Sequence, residues 1–244
     1  MKEINLAMVN NENNDLASFL IDEVKKINED TLNSFLYDRV PINLFNRAVE
    51  RSTDYAEKNM SGITVFTSSY KPKMWDYAIS KLKVDGYIAE FGVFKGESVN
   101  YLAKLVDPKT IFGFDSFKGL EEDFSIDYGV GGFNQNGIAP TVEKNVFLVK
   151  GSFLKTLPNW LNKNKGVFSF INIDCDTYKS TSDILNLIGP DRIVSGTMIL
   201  FDEYFGFYGW EDQEFKAWKD YCSNNNVKYK YVAICHMQVL VEVL

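Results

Sequence analysis

The chain has 244 residues, of which 45% are apolar, 24% are charged and 15% are aromatic. This length supports one domain with a hydrophobic core, and the aromatic content excludes a disordered or low-complexity chain. The formal net charge of −7 argues against a protein that binds the phosphate backbone of nucleic acids.

The cysteine and histidine content excludes several kinds of site. Cys175, Cys222 and Cys235 are widely spaced without a CxxC pair, so we expect neither a disulfide framework nor structural zinc. The single histidine, His236, lies in an apolar run typical of a strand or turn, which argues against histidine-dependent hydrolysis. No apolar stretch approaches the roughly 18 residues of a membrane span, and no signal peptide is evident. We therefore expect a cytoplasmic protein without membrane or nucleic-acid partners.

Residues 1–83 are predicted to form a helical extension. Apolar residues recur at helical spacing in two segments, Leu44–Lys58 is a third helix candidate, and Met60–Ser69 is predicted to be a loop. The apolar residues of the two segments are Leu16, Phe19, Leu20, Val24 and Ile27, then Trp75, Ala78, Ile79 and Leu82.

Residues 84–244 alternate short apolar strands with helical patterns. Because the strands are almost continuously apolar, we expect a parallel sheet that helices cover on both faces. One of these helices is predicted to follow the stretch Ser180–Asp183. The strand candidates are Tyr87–Val93, Thr110–Asp115, Val146–Lys150, Phe168–Asp174 and Gly196–Asp202.

The end of the chain has a different pattern. Tyr229–Cys235 and Gln238–Leu244 are strand candidates with so short a connection that they must pair in an antiparallel hairpin. A mostly parallel α/β sheet with a C-terminal antiparallel hairpin is the layout of a Rossmann-like class I methyltransferase domain. We therefore predict this domain over residues 84–244, preceded by the helical extension of residues 1–83.

The first motif with chemical meaning is the turn Glu90–Ser98, where the first strand of this domain passes into a helix. Gly92 and Gly96 would let the backbone approach a ligand, and the helix N-terminus offers free N–H groups. The G-x-x-x-G spacing differs from that of pyrophosphate binders, and Glu90 suits the ammonium of an amino-acid-bearing ligand. An ordinary strand-to-helix turn is the alternative.

The second motif is Asp115, which ends the next strand 19 residues after Gly96. An acidic side chain at this place typically accepts hydrogen bonds from both ribose hydroxyls of a nucleoside. A helix cap or turn residue is the alternative. Together the two motifs favour a nucleoside ligand.

Four carboxylates follow the last two parallel strands. Asp174, Asp176, Asp202 and Glu203 should face one crevice, because ligands of open α/β sheets lie at the C-terminal strand ends. Without a nearby basic residue these groups would repel each other, and a divalent cation that prefers oxygen would remove the repulsion. Helix caps, or ion pairs with Lys179 or Arg192, are the alternative.

These motifs together resemble the macrocin O-methyltransferase family, the tylosin and mycinamicin sugar methyltransferases. The resemblance spans about residues 86–220 and is carried, in order, by AEFGVFKGES, IFGFDSFKGLEE, VKGSFLKTLP, INIDCDTYKST and ILFDEYFGFYGWEDQEFKAW. It implies an enzyme that uses S-adenosylmethionine and a divalent cation, usually Mg²⁺, to methylate hydroxyl groups, commonly on deoxysugars. We therefore expect a small, glycan-related acceptor.

The resemblance also implies roles for individual residues. Asp176 would be the general base, and the metal ligands would be Asp174, Asp202 and Glu203, the last standing where some relatives have Asp. The Glu90–Ser98 turn would hold the methionine part of the cofactor, Asp115 the ribose, and Gly151 with Ser152 the adenine. The cofactor-binding residues implied are Glu90, Gly92, Gly96, Ser98, Asp115, Ser116, Gly151, Ser152 and Asp174.

Elementary chemistry agrees with this mechanism. Methyl transfer needs an oxygen nucleophile about 3 Å from the methyl group, and a neutral sugar hydroxyl is a weak nucleophile. A cation lowers the pKa of the hydroxyl and a carboxylate removes its proton.

Three other functions are open. The acceptor could instead be a catechol, a nucleotide-linked sugar or a phosphoryl-type group. A nucleotide-sugar dehydratase or dehydrogenase is disfavoured, because G-x-G-x-x-G and Tyr-x-x-x-Lys are missing, and a non-catalytic binding module is disfavoured by the intact carboxylates. We expect Phe124–Thr141 to determine acceptor specificity. That loop and the N-terminal helices would close over the cofactor as a lid, and the helices would contribute to a homo-oligomer.

Overall fold

The computed structural model describes residues 25–26, 39–67, 71–124 and 128–244. Contacts divide the chain into two units, residues 1–47 and residues 48–244. The predicted helix with Leu16, Phe19, Leu20, Val24 and Ile27 lies outside the described residues. The helix predicted over Leu44–Lys58 is confirmed as α1, Arg39–Asn59.

Eight strands alternate with helices along the second unit. The strands are β1 Thr64–Phe66, β2 Tyr87–Phe91, β3 Ile111–Asp115, β4 Val146–Lys150, β5 Phe168–Ile173, β6 Met198–Phe201, β7 Tyr229–Cys235 and β8 Gln238–Val243. The helices after α1 are α2 Pro72–Ser80, α3 Glu97–Val106, α4 Phe153–Lys163, α5 Tyr178–Ile188 and α6 Glu214–Asn225, with a 3₁₀ turn over Trp210–Asp212.

The strands form a single sheet in the order β1-β7-β8-β6-β5-β2-β3-β4. Every neighbouring pair is parallel except the two that involve β8, which is antiparallel to β6 and to β7. His236 and Met237 connect β7 to β8, and His236 has a left-handed φ of 58°. The predicted fold class, with its C-terminal antiparallel hairpin, is therefore confirmed, and His236 is a turn residue.

Two predictions about local structure are wrong. Within the predicted loop Met60–Ser69, Thr64–Phe66 forms β1, an edge strand parallel to β7. Three residues are too few to show a strand periodicity, so their pairing depends on the tertiary fold. Helix α5 begins at Tyr178, before Ser180, because Thr177 caps it: the Thr177 hydroxyl accepts a hydrogen bond from the Ser180 N–H at 3.3 Å.

Helices cover both faces of the sheet. Because side chains alternate along a strand, Met198 and Leu200 pack on the face covered by α2 and α3, whereas Ile199 and Phe201 pack on the other face, covered by α4, α5 and α6. Every residue of β5, β6 and β8 is buried. This arrangement fixes the C-terminal ends of the parallel strands at one edge. Among the described helices, none is both long and apolar enough to cross a membrane.

Candidate active site

A cavity of about 410 Å³ lies at the C-terminal ends of the parallel strands. This volume is within the usual range for small-molecule sites. The sequence-predicted residues that line it are Gly92, Ser98, Asp115, Ser116, Gly151, Ser152, Asp174, Asp176, Asp202 and Glu203. The two remaining predicted residues, Glu90 and Gly96, do not line it. The structure therefore gathers most of the predicted site around one space.

Both glycines of the β2–α3 turn are required by the backbone. Gly92 has a φ of 93°, and a Cβ atom there would lie 1.7 Å from the carbonyl oxygen of Asp174. Gly96 has a φ of 83° and is the N-cap residue of α3. Only glycine adopts these conformations without strain, and its small size lets the ends of β2 and β5 approach each other.

Glu90 lies behind the cavity wall with no exposed surface. Its carboxyl accepts hydrogen bonds from the Ser98 hydroxyl at 2.9 Å and from the Asn172 side-chain amide at 3.1 Å. Burial raises the pKa of Glu90 to about 8, although these two hydrogen bonds oppose the shift. Ser98 lines the cavity and Glu90 does not, so direct contact of Glu90 with an ammonium group stays a prediction.

Asp115 connects the end of β3 to the β2–α3 turn. One carboxylate oxygen accepts hydrogen bonds from the N–H groups of Val93 and Phe94, both at 2.8 Å, and the other accepts one from Phe117 at 2.7 Å. The Gly151 N–H donates to the Asp115 carbonyl oxygen at 2.9 Å. Asp115 therefore orders the turn that lines the cavity, and its predicted contact with ribose would use the remaining lone pairs.

The predicted acceptor loop, of which residues 128–141 and Phe124 are described, also reaches the cavity. Phe133 lines it, and its ring packs against Phe94 with centroids 5.5 Å apart and stacks on Tyr128 at 4.7 Å. The loop thus contributes an aromatic wall beside the turn that carries Gly92. Its role in acceptor choice and as a lid stays a prediction, as do the helical-extension boundary at residue 83 and the homo-oligomer contact.

Three of the four predicted carboxylates form a tight cluster. One oxygen from each of Asp174, Asp176 and Glu203 lies within 4.8 Å of the others, and Asp176 and Glu203 are almost fully buried. Asp176 has a left-handed φ of 64°, a local turn just after β5. Burial raises the pKa of Asp176 to about 6 and, with the neighbouring carboxylates, raises the pKa of Asp174 and of Glu203 well above their usual range.

Asp202 is not part of this cluster, although its charge acts on all three members, and two other side chains bind it. Lys71, directly before α2, forms an ion pair with Oδ2, and the Gln238 side-chain amide of β8 donates to Oδ1. The expectation that no basic residue lies near the carboxylates is therefore wrong. Lys179 and Arg192, the alternative ion-pair partners of these carboxylates, contact other residues.

Lys179 pairs with Asp183 at 2.7 Å, and Arg192 donates to the carbonyl oxygens of Asn164 and Leu161. Sequence analysis missed Lys71 because 131 residues separate it from Asp202. No local pattern marks that pairing.

Glu214, in the first turn of α6, is a fifth carboxyl group that sequence analysis missed. It is fully buried, and its Oε2 accepts a hydrogen bond from the Glu203 N–H at 3.1 Å. Burial raises the pKa of the Glu214 carboxyl well above its usual range. A backbone hydrogen bond from Cys175 to this carboxyl opposes the shift. Its spacing with Ala217, Trp218 and Tyr221 places it on the buried face of α6, a signal that was available in the sequence.

The chemistry of this donor set fits a divalent cation. Oε2 of Glu203 and Oε1 of Glu214 are buried and have no hydrogen-bond partner among the described residues. Buried carboxylate oxygens without partners are costly unless a proton or a cation satisfies them. Asp174, Asp176 and Glu203 offer the oxygen ligands that Mg²⁺ prefers.

Comparisons with known proteins agree with the fold. Residues 89–204 match a family model described as a methyltransferase domain. A crystal structure of CalS11, a calicheamicin methyltransferase, is 21% identical with a TM-score of 0.56, over 70% of this chain and 78% of that chain. The O-methyltransferase NovP is 17% identical with a TM-score of 0.52, over 70% of this chain and 78% of that chain. No curated protein matches the sequence significantly.

The sheet order and the matched methyltransferase domain show a Rossmann-like methyltransferase fold, with the cavity at the C-terminal strand ends. The chain is therefore an enzyme that uses S-adenosylmethionine as its methyl donor.

Proposed function

We propose that this enzyme transfers a methyl group from S-adenosylmethionine to a hydroxyl of a sugar or sugar-containing small molecule, with a divalent cation such as Mg²⁺. The observation that carries the proposal is that one cavity holds both parts of the site. The glycine turn with Asp115 lines it, and so does the carboxylate cluster of Asp174, Asp176 and Glu203. A methyl donor and an acceptor oxygen must meet in one such space.

The carboxylates divide between two roles in this proposal. Asp174 and Glu203 belong both to the ligand set that the family resemblance implies and to the cluster that the structure forms. The family resemblance implies Asp202 as the third metal ligand and Asp176 as the general base, although the structure places Asp176 rather than Asp202 in the cluster. A pKa of about 6 suits Asp176 to accept a proton near neutral pH. When bound, a divalent cation supplies Lewis-acid chemistry that makes a hydroxyl more acidic.

The remaining residues orient the cofactor and support the site. Asp115 holds the turn against which the cofactor would lie, while Ser98, Ser116, Gly151 and Ser152 would contact it from the cavity wall. Phe133 and the carboxylate cluster would enclose the acceptor. Exclusion of water strengthens the electrostatic interactions of the carboxylates during the reaction.

A nucleotide-linked sugar is the more specific candidate acceptor. CalS11 is a TDP-rhamnose 3′-O-methyltransferase of calicheamicin biosynthesis, and its structure in the apo form aligns with a TM-score of 0.51 over 71% of this chain at 21% identity. This similarity supports the choice of acceptors to assay first. A catechol acceptor has no comparable support.

The test is transfer of labelled methyl groups from S-adenosylmethionine. The acceptor panel contains free deoxysugars, TDP-linked deoxysugars and a catechol, each with Mg²⁺ and with EDTA. We expect methylation of a sugar hydroxyl that EDTA abolishes and added Mg²⁺ restores. Methylation that continues unchanged in EDTA would refute the metal, and methylation of the catechol alone would refute the sugar acceptor.

A further inference from the structure

Lys71 brings a positive charge into the carboxylate site. Its ammonium group lines the cavity and pairs with Asp202, while its side chain remains 39% exposed. Lys71 therefore places an ammonium group at the edge of the cluster.

The pair with Lys71 affects which carboxylates can bind a metal. Lys71 and Gln238 each occupy one carboxylate oxygen of Asp202, whereas Oε2 of the adjacent Glu203 has no hydrogen-bond partner among the described residues. The cluster with metal-binding geometry consists of Asp174, Asp176 and Glu203 and does not include Asp202. The Lys71 ammonium thus occupies a carboxylate oxygen of Asp202 that could otherwise be a ligand of the divalent cation.

We propose that Lys71 is a built-in counter-ion that competes with the divalent cation for Asp202. The inference rests on the proposed function, because it assumes that the carboxylates bind a metal. Bound to Asp202, the ammonium limits the repulsion among the carboxylates when no metal is present. Its long, flexible and partly exposed side chain lets it withdraw into the cavity without a backbone movement. Asp202 then becomes available to the metal.

The proposal predicts a specific effect of charge. An adjacent cation lowers the pKa of a carboxyl group by about one to three units, because it stabilises the negative charge. The partial exposure of Lys71 favours the lower end of that range. Removing the ammonium should therefore tighten divalent-metal binding by about tenfold. Replacing it with another cation should leave metal binding nearly unchanged.

The experiment is calorimetric titration of the full chain with Mn²⁺ alone, for the wild type and three variants. Lys71→Gln removes the charge, and Lys71→Arg keeps it. Lys73→Gln is the matched control, because Lys73 is exposed in the first turn of α2, two residues after Lys71, and forms no ion pair among the described residues. We expect tighter binding in Lys71→Gln only. Equal or weaker Mn²⁺ binding in Lys71→Gln, or no Mn²⁺ binding in any variant, would overturn the proposal.

A second titration separates this proposal from the proposed function. S-adenosylhomocysteine binding is measured in the same variants, together with methyl transfer to the acceptor found in the panel. If Lys71→Gln leaves Mn²⁺ affinity unchanged while the wild type binds the cofactor product and is metal-dependent, only the role of Lys71 fails. If the wild type neither binds Mn²⁺ nor requires it for methyl transfer, the metal in the proposed function fails as well.

Discussion

The buried carboxyl of Glu90 should make the stability of the enzyme depend on pH. Burial raises its pKa from 4.5 to about 8 in the folded state, so the folded protein holds this proton more tightly than the unfolded chain. The stabilisation is therefore fully present below pH 4.5 and is lost as the pH rises to about 8. The difference between these pKa values corresponds to about 5 kcal/mol, as an upper bound.

The substitution Glu90→Gln isolates this contribution. Glutamine is neutral at every pH, keeps an acceptor for the Asn172 amide, and can donate to Ser98 because a hydroxyl also accepts hydrogen bonds. We expect the variant to be more stable than the wild type at pH 8, with the difference shrinking toward pH 4.5.

Urea unfolding of the protein without cofactor, measured across this pH range, gives the free energy of unfolding at each point. Glu57→Gln, at an exposed position of α1, is the control and should change stability by no more than about 0.5 kcal/mol. Wild-type and Glu90→Gln curves that run parallel across the whole range would show that Glu90 is ionised in the folded protein, and the reasoning would be refuted.

Substitutions at three further residues test the site. Asp176→Asn should leave S-adenosylhomocysteine affinity intact in calorimetry but lower kcat by about 10²–10⁴, and an unchanged kcat would assign the proton to another group. Asp115→Ala removes the acceptor of three backbone N–H groups, so it should lower the free energy of unfolding by about 2–5 kcal/mol and weaken S-adenosylhomocysteine binding. Asp115→Asn should lower both by less, and equal effects of the two variants would contradict this role. Glu214→Ala should lower kcat at unchanged cofactor affinity. Glu214→Gln still accepts the hydrogen bond from the Glu203 N–H, so it should retain more activity. Equal kcat in both variants would show that this hydrogen bond does not position Glu203.

The fold was largely predictable because its signals are local. Apolar strands alternating with amphipathic helices indicate a covered parallel sheet, and two strands separated by His236 and Met237 can pair only in an antiparallel hairpin. The exception, β1, consists of Thr64–Phe66 at the sheet edge. Its three residues become a strand only because β7 is present to pair with them.

The location of the site was predictable from topology. The C-terminal ends of parallel strands meet at one edge, so Asp174, Asp176, Asp202 and Glu203 were expected to face one crevice, and all four line the cavity. The strand boundaries matter here, since β5 and β6 end one residue before Asp174 and Asp202. Each carboxylate therefore stands in a loop, where its direction is not set by the alternation of the strand.

The sequence by itself determined the sheet, the glycine turn and the edge at which the carboxylates collect, because periodicity and turn chemistry act over a few residues. Only the tertiary structure decided what each carboxylate contacts. It buried Glu90 behind Ser98 and joined Glu214 to the backbone of Glu203. It also placed Lys71 on Asp202, a pair separated by 131 residues. Such contacts depend on how whole helices and strands pack, and packing brings together side chains that no local pattern relates.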